Sequence, residues 1–181
     1  MRSAVRKLAL LVCVLQLAIA ADKPAAHVRN FGQVNDHIYR GGEPSLVGLQ
    51  ELGAMGIKMV VDLRETSAAT DFEKHEAEKL GMKYVNVPLP PLSAPTLDEV
   101  ERVLSILTQD KSDPIFVHCR RGKDRTGTVI ACYRIQHDGW DNRQALDEAK
   151  KYGISLAERG MRSYILHFSP QAASAASKPV M

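Results

Sequence analysis

The chain has 181 residues, with 24 lysines and arginines against 21 aspartates and glutamates and a formal net charge of +3. That length supports one domain with a sizeable core, and not comfortably two. The charge excess lies wholly in the first twenty residues, which leaves 21 groups of each sign in the remainder and excludes the broad positive surface that a nucleic-acid partner requires.

Arg2, Arg6 and Lys7 precede an apolar run from Leu8 to Ile19, and Ala18-Ile19-Ala20 is a small-x-small cleavage pattern. The run is short for a bilayer span, so residues 1–20 read as a cleaved signal peptide. The expected location is periplasmic or secreted, with no stable membrane span after cleavage. Residues 21–29 are polar and alanine-rich and read as a flexible mature N-terminus. Two short strands follow, Phe31–Val34 and His37–Arg40, joined at the turn-prone pair Asn35-Asp36. Gly41 to Ser45 is a loop ending in a helix cap at Ser45. Leu46 to Leu52 is a short helix closed by Gly53, and Ile57 to Leu63 is a strand of β-branched and apolar residues. Asp71 to Leu80 reads as a charged, exposed helix with Gly81 as its stop. Lys83 to Val87 alternates as a strand.

Pro88 to Pro95 is a stiff, proline-rich loop. Thr96 and Glu99 then form a capping box, opening a helix to residue 109 with Leu97, Val100, Leu104 and Leu107 on its buried face. Residues 114–118 are a buried strand, and Thr128 to Ile135 is apolar on all sides, as a buried helix is. Asn142–Lys151 and Ser155–Phe168 are two further helices. Residues 170–181 are low-complexity and read as a disordered tail.

Strands alternating with helices predict an α/β fold over residues 30–169: one domain, a three-layer sandwich, with a central, mostly parallel sheet and helices on both faces. In such sheets ligands bind beyond the C-terminal strand ends. Asp62-Leu63-Arg64 and Val117-His118-Cys119 both end strands there, which puts Arg64 in one pocket with the segment after Cys119.

That segment runs His118-Cys119-Arg120-Arg121-Gly122-Lys123-Asp124-Arg125-Thr126. The order strand, tight loop, helix turns successive backbone N–H groups toward one point at the positive end of a helix dipole, a nest for a tetrahedral oxyanion. A thiol at its floor is held as thiolate by the same field. Arg125 adds a planar fork suited to two phosphate oxygens. Together they provide an attacking atom and neutralisation of the equatorial oxygens in phosphoryl transfer, without a metal or other cofactor. The phosphoryl group passes to Cys119, and water then hydrolyses the cysteinyl phosphate. A merely structural cysteine needs neither Gly122 nor Arg125 at those spacings. Cys132 reads as a small buried hydrophobe, too far along the helix to bridge Cys119. His118, Cys119, Cys132 and His137 do not make a metal set, because Cys132 and His137 fall on different helix faces.

The segment resembles the His-Cys-x5-Arg-Ser/Thr signature of the cysteine-dependent protein tyrosine phosphatase superfamily, in its atypical dual-specificity branch of plant-and-fungi-type and bacterial members. Phe31-Gly32-Gln33-Val34, His37-Ile38-Tyr39-Arg40-Gly41-Gly42 and the run from Gly56 to Glu65 resemble that branch's opening strands, and the resemblance covers roughly residues 28–168. It implies a dual-specificity-phosphatase-like fold and a metal-independent phosphomonoester hydrolase. The implied substrates are proteins carrying phosphotyrosine, phosphoserine or phosphothreonine. Phosphoinositide or inositol (pyro)phosphate hydrolysis is the alternative, and an inactive phosphate-binding module the second. Cys119, Arg125 and Thr126 together argue against the last. A sulfur-transfer loop of the rhodanese type is usually shorter and lacks the arginine-threonine ending. A monomer is expected.

The resemblance implies that His118 orients the loop and tunes the thiolate, with its side chain pointing away from Cys119. Thr126 donates to the thiolate or satisfies a backbone amide at the helix start. Arg120, Arg121, Gly122, Lys123 and Arg64 are expected to bind substrate. The extra cations resemble those of inositol-phosphate enzymes, and serve equally to keep the thiol ionised. The general acid stays open between Asp124 in the loop, Asp98 after the proline-rich segment, and a leaving group that needs no protein acid.

Overall fold

A computed structural model describes residues 25–109 and 113–170. The expected signal peptide, residues 21–24 and residues 171–181 lie outside the described residues. From Ala25 the chain packs against the domain. Ala25 and Val28 are buried, Val28 bridges Pro44, and the Arg29 carbonyl accepts from the Gly42 amide at 2.7 Å. Apolar side chains at positions 25 and 28 supply the anchor.

Eleven elements follow: β1 (Gly32–Gln33), β2 (Ile38–Gly42), α1 (Leu46–Ala54), β3 (Met59–Asp62), α2 (Ala68–Lys79), β4 (Lys83–Asn86), α3 (Leu97–Gln109), β5 (Ile115–Cys119), α4 (Asp124–Gln136), α5 (Asn142–Lys151) and α6 (Arg159–His167). The sheet order is β1-β2-β5-β3-β4. β1 is antiparallel to β2, and every other pairing is parallel. Parallel strands are covered on both faces and need apolar residues in both directions. Tyr39, Val60 and Phe116 accordingly point toward α1 and α2, against Leu49, Leu52 and Ala77. Ile38, Val61, Ile115 and Val117 point the other way, into the core shared with α3 to α6. The three-layer α/β sandwich expected from the chain is the fold observed. β5 lies at its centre, buried at every position, and so delivers Cys119 to the middle of the sheet's C-terminal edge.

Four elements differ from the sequence reading. α4 starts at Asp124 instead of Thr128, so Asp124, Arg125 and Thr126 form its first turn. α6 starts at Arg159, after a turn over Ser155–Glu158. α2 starts earlier, at a Ser67–Thr70 capping box, and is not wholly exposed: Thr70, Glu73 and Ala77 are buried at i, i+3, i+7 spacing. In α3 the Thr96–Glu99 box is present, but Val103 completes the buried face with Val100, Leu104 and Leu107, while Leu97 in the first turn is 40% exposed. Among the described residues no helix is long and apolar enough to cross a membrane.

Candidate active site

The loop between β5 and α4 closes on Gly122. Its φ is +68°, and an added Cβ would lie 2.4 Å from the Gly41 carbonyl carbon and 2.5 Å from the Gly42 nitrogen. Only glycine meets both demands, the left-handed conformation and the close backbone approach. Gly41 and Gly42 pair in register with His118 and Cys119, so the glycine pair ending β2 and the glycine of the loop are two halves of one contact. The Gly122 carbonyl accepts from Asn30 Nδ2 at 2.8 Å and from Arg40 Nη2 at 3.0 Å.

Cys119 is 2% exposed and lies at the floor of a cavity of about 890 Å³. Burial alone would push its thiol up. The Thr126 hydroxyl and amide, the Arg125 charge and the Arg121 amide outweigh burial and hold the thiol below its usual range. Thr126 is fully buried, and its hydroxyl, which has no well-formed hydrogen bond elsewhere, helps to hold the Cys119 thiol down. Arg125 shares the cavity wall and is anchored by Nη1 donating to the Leu63 carbonyl at 3.1 Å. Cys132 differs: burial pushes its thiol well up with nothing to oppose it, as a structural cysteine requires. Both cysteines are free.

His118 points away from Cys119, as alternation along a strand dictates. Its Nε2 is 2.8 Å from Glu73 Oε1 and 3.9 Å from Asp62 Oδ1, an ion pair rather than an aligned hydrogen bond. Burial would push the imidazole down, but the Glu73 charge and then Asp62 carry it above its usual range. Asp62, Glu73 and His118 are a ligand-type cluster. The charge that a cation would bring there is already present, because the Arg64 guanidinium donates to Asp62 at 2.6 Å and to Glu73 at 2.5 Å.

That arrangement corrects the expected role of Arg64. Its third partner is Glu43, and Arg64 is not among the residues lining the cavity. Three carboxylates hold its fork, so it braces the sheet edge under the loop. Of the other expected binding residues, Arg120 and Arg121 line the cavity, Gly122 shapes the backbone, and Lys123 is exposed with its chain running alongside Gly153. Asp124 lines the cavity, but both its oxygens are occupied: Oδ1 accepts from the Ser155 amide at 2.7 Å and Oδ2 from Arg121 Nη2 at 2.9 Å. Asp98 is exposed in the first turn of α3 and does not reach the cavity.

The structure adds residues that the sequence reading missed. His27, Arg29 and Glu43 line the cavity from the segment before β1 and the loop after β2. Glu73 faces His118 from α2. Only Glu73 carried a readable sign, its helical spacing from Thr70 and Ala77.

A depressed thiol, the Thr126 and Arg121 amides beside it and an arginine in the first turn of the next helix, at the carboxyl edge of an α/β sheet, define a cysteine-based phosphoryl site. The chain belongs to the phosphatase family described as "DSP-PTPase phosphatase fused to NAD+ Kinase", which matches residues 24–164. It is 30% identical over 129 residues to "Dual specificity protein phosphatase TpbA" of Pseudomonas aeruginosa (strain UCBPP-PA14), over 69% of this chain and 55% of that one. The chain thus spans little more than half that relative's length. It is 30% identical over 137 residues to "Inositol diphosphatase DSP5" of Arabidopsis thaliana, over 74% of this chain and 67% of that one. Two solved structures share the fold. The core catalytic domain of the PP-IP phosphatase SIW14 from S. cerevisiae, in complex with citrate, has a TM-score of 0.70 at 24% identity, covering 78% of this chain and 86% of that one. P. aeruginosa TpbA has a TM-score of 0.66 at 24% identity, covering 76% and 83%.

Proposed function

We propose that this chain hydrolyses phosphate esters or anhydrides through a cysteinyl-phosphate intermediate on Cys119. The observation that carries the reading is the buried Cys119 sulfur at the sheet's C-terminal edge, sharing one cavity with Arg125 and the basic loop, with the thiol held below its usual range there. The thiolate attacks phosphorus in line, and the leaving oxygen departs opposite. Loop N–H groups and Arg125 neutralise the equatorial oxygens. Thr126 stabilises the sulfur as it leaves again when water attacks.

The leaving group narrows the substrate. Among the described residues the cavity holds two carboxyl groups, Glu43 and Asp124, and both are tied to arginines. Neither stands free to hand a proton to an alkoxide. Such a site favours leaving groups that depart without protonation, an aryl oxide or a phosphate, over the alkyl oxygen of phosphoserine or phosphothreonine. Arg29 and Arg120 on the cavity wall have no carboxylate partner among the described residues. They supply charge beyond what one phosphoryl group uses and favour a small, multiply phosphorylated substrate of the inositol phosphate type, as the name of the Arabidopsis relative suggests. Phosphotyrosine in protein is the second reading, favoured by its aryl leaving group and by the TpbA relative. Phosphate release from inositol diphosphates, phosphotyrosine peptides, phosphoserine peptides and phosphoinositides separates them. Fastest release from the serine peptide contradicts the leaving-group reading. The export expected from residues 1–20 stays a proposal, tested by the N-terminal sequence of the protein recovered from its native host.

A further inference from the structure

Arg40 lies behind the catalytic loop and is 1% exposed. It projects from β2, paired in register with Val117 on β5. Its guanidinium carbon sits 3.8 Å from the centroid of the Tyr152 ring. One of its five donors is engaged, Nη2 to the Gly122 carbonyl; Nε and Nη1 have no partner. The other buried arginine, Arg64, is neutralised, and so is the half-buried Arg134. Arg64 has three carboxylates, and Arg134 has Asp138 and Glu148. Among the described residues no carboxylate pairs with Arg40. A buried cation without a counter-ion is unfavourable unless something nearby is negative. Of the groups that act on its charge, Glu148 and Cys119 are the ones that can be anionic at neutral pH, and Arg134 is a cation. Glu148 is already bound by Arg134 at 2.9 Å. The remaining anion is the thiolate of the loop, joined during turnover by the phosphoryl group.

We propose that Arg40 is a positioning residue: a second arginine, behind the loop, whose charge is the counter-ion of the Cys119 thiolate and of the bound phosphoryl group, while its Nη2 holds the Gly122 turn. The inference rests on Cys119 being the nucleophile. Burial draws the guanidinium down to about 10, with the Glu148 and Cys119 charges pulling back up, so Arg40 is charged at neutral pH. Around the sulfur, Arg125 and Thr126 act from α4, the Arg121 amide from the loop, and Arg40 from β2. His118 on β5 is committed to Glu73.

Charge and hydrogen bond are separable. Arg40→Gln keeps a donor for Gly122 and loses the charge; Arg40→Lys keeps the charge and loses the fork. Asn30→Ala removes the neutral donor to the same carbonyl. The readouts are the pH profile of Cys119 alkylation by iodoacetamide and vanadate affinity from thermal shift. Arg40→Gln is expected to move the alkylation midpoint up by about one pH unit and to weaken vanadate about tenfold, while Arg40→Lys and Asn30→Ala hold the midpoint within about 0.3 unit. A wild-type midpoint in Arg40→Gln, or an equal shift in Asn30→Ala, overturns the proposal and leaves Arg40 a brace. Should Arg40→Gln not fold, Arg40→Met, of similar length and without charge, decides: a raised midpoint supports the charge, a wild-type one overturns it. Failure of the nucleophile reading shows separately, as turnover surviving in Cys119→Ser.

Discussion

At Asp124, one residue carries two conflicting duties, and the geometry chooses between them. A general acid must present a proton to the leaving oxygen, yet both carboxylate oxygens are already accepting, one from a backbone amide of the α5–α6 connection and one from Arg121. Asp124 therefore holds the loop against the α5–α6 connection. Asp124→Asn is expected to slow aryl and alkyl phosphates by a similar factor; a loss confined to alkyl phosphates makes it the acid instead. Gly122 is the sterner case. Gly122→Ala adds a methyl group where Gly41 and Gly42 already touch, and loop amides lose their aim. Activity should fall by about a hundredfold or more, the scale of removing one oxyanion donor, with vanadate affinity falling alongside. These residues were legible because the chemistry sits in one run: the spacing from Cys119 to Arg125 alone names the loop, its glycine and its helix. Asp124's role was not, since its partner Ser155 lies 31 positions away, beyond α5.

Among the elements, α2 shows how a charged helix hides a buried group. Its sequence reads as solvent-facing, yet it docks Glu73 under the sheet against His118 and Arg64. A carboxylate enters a core when cations await it there, and those cations lie on β5 and after β3, out of reach of any local pattern. Arg40 was missed for the same reason: β2 reads as a short strand, and the loop it supports is 82 positions further on. The pH behaviour of the cluster has a defined sign. His118 is raised, so its pairing stabilises the fold fully below its ordinary value of 6.5 and is lost as pH rises through the raised value. Asp62 is lowered, so its pairing is full above 3.8 and is lost as pH falls through the lowered value. Glu73→Gln should cost about 3 kcal/mol or more at pH 6, as breaking a buried pair does. The gap to wild type should narrow as pH rises and His118 deprotonates, leaving only the share due to Arg64. Urea unfolding of both proteins from pH 5 to 9 checks this; a constant gap means that His118 does not titrate across this range.

The whole molecule converges two remote surfaces on one cavity. The segment before β1 brings His27 and Arg29, and the loop brings Arg120, Arg121 and Arg125. Anion capture at such a mouth is strong for several phosphates and weak for one. Arg29→Ala with Arg120→Ala should raise KM for an inositol diphosphate about tenfold or more, and raise it far less for an aryl monophosphate. Equal effects on both would remove the case for a multiply phosphorylated substrate. The sequence foretold a basic loop but not Arg29, which falls in a stretch that composition alone marks as flexible and which Ala25 and Val28 pin down.

The central claim is that phosphate leaves its substrate onto sulfur. Rapid acid quench during turnover of an aryl phosphate, followed by mass spectrometry of the peptide containing residue 119, measures it directly. A phosphoryl adduct on Cys119 is expected to form before product phosphate appears and to decay as it is released, with none in Cys119→Ser, whose turnover is abolished while vanadate still binds. Turnover without an adduct at Cys119, or a serine variant within about tenfold of wild type, a margin of 1.4 kcal/mol, contradicts it.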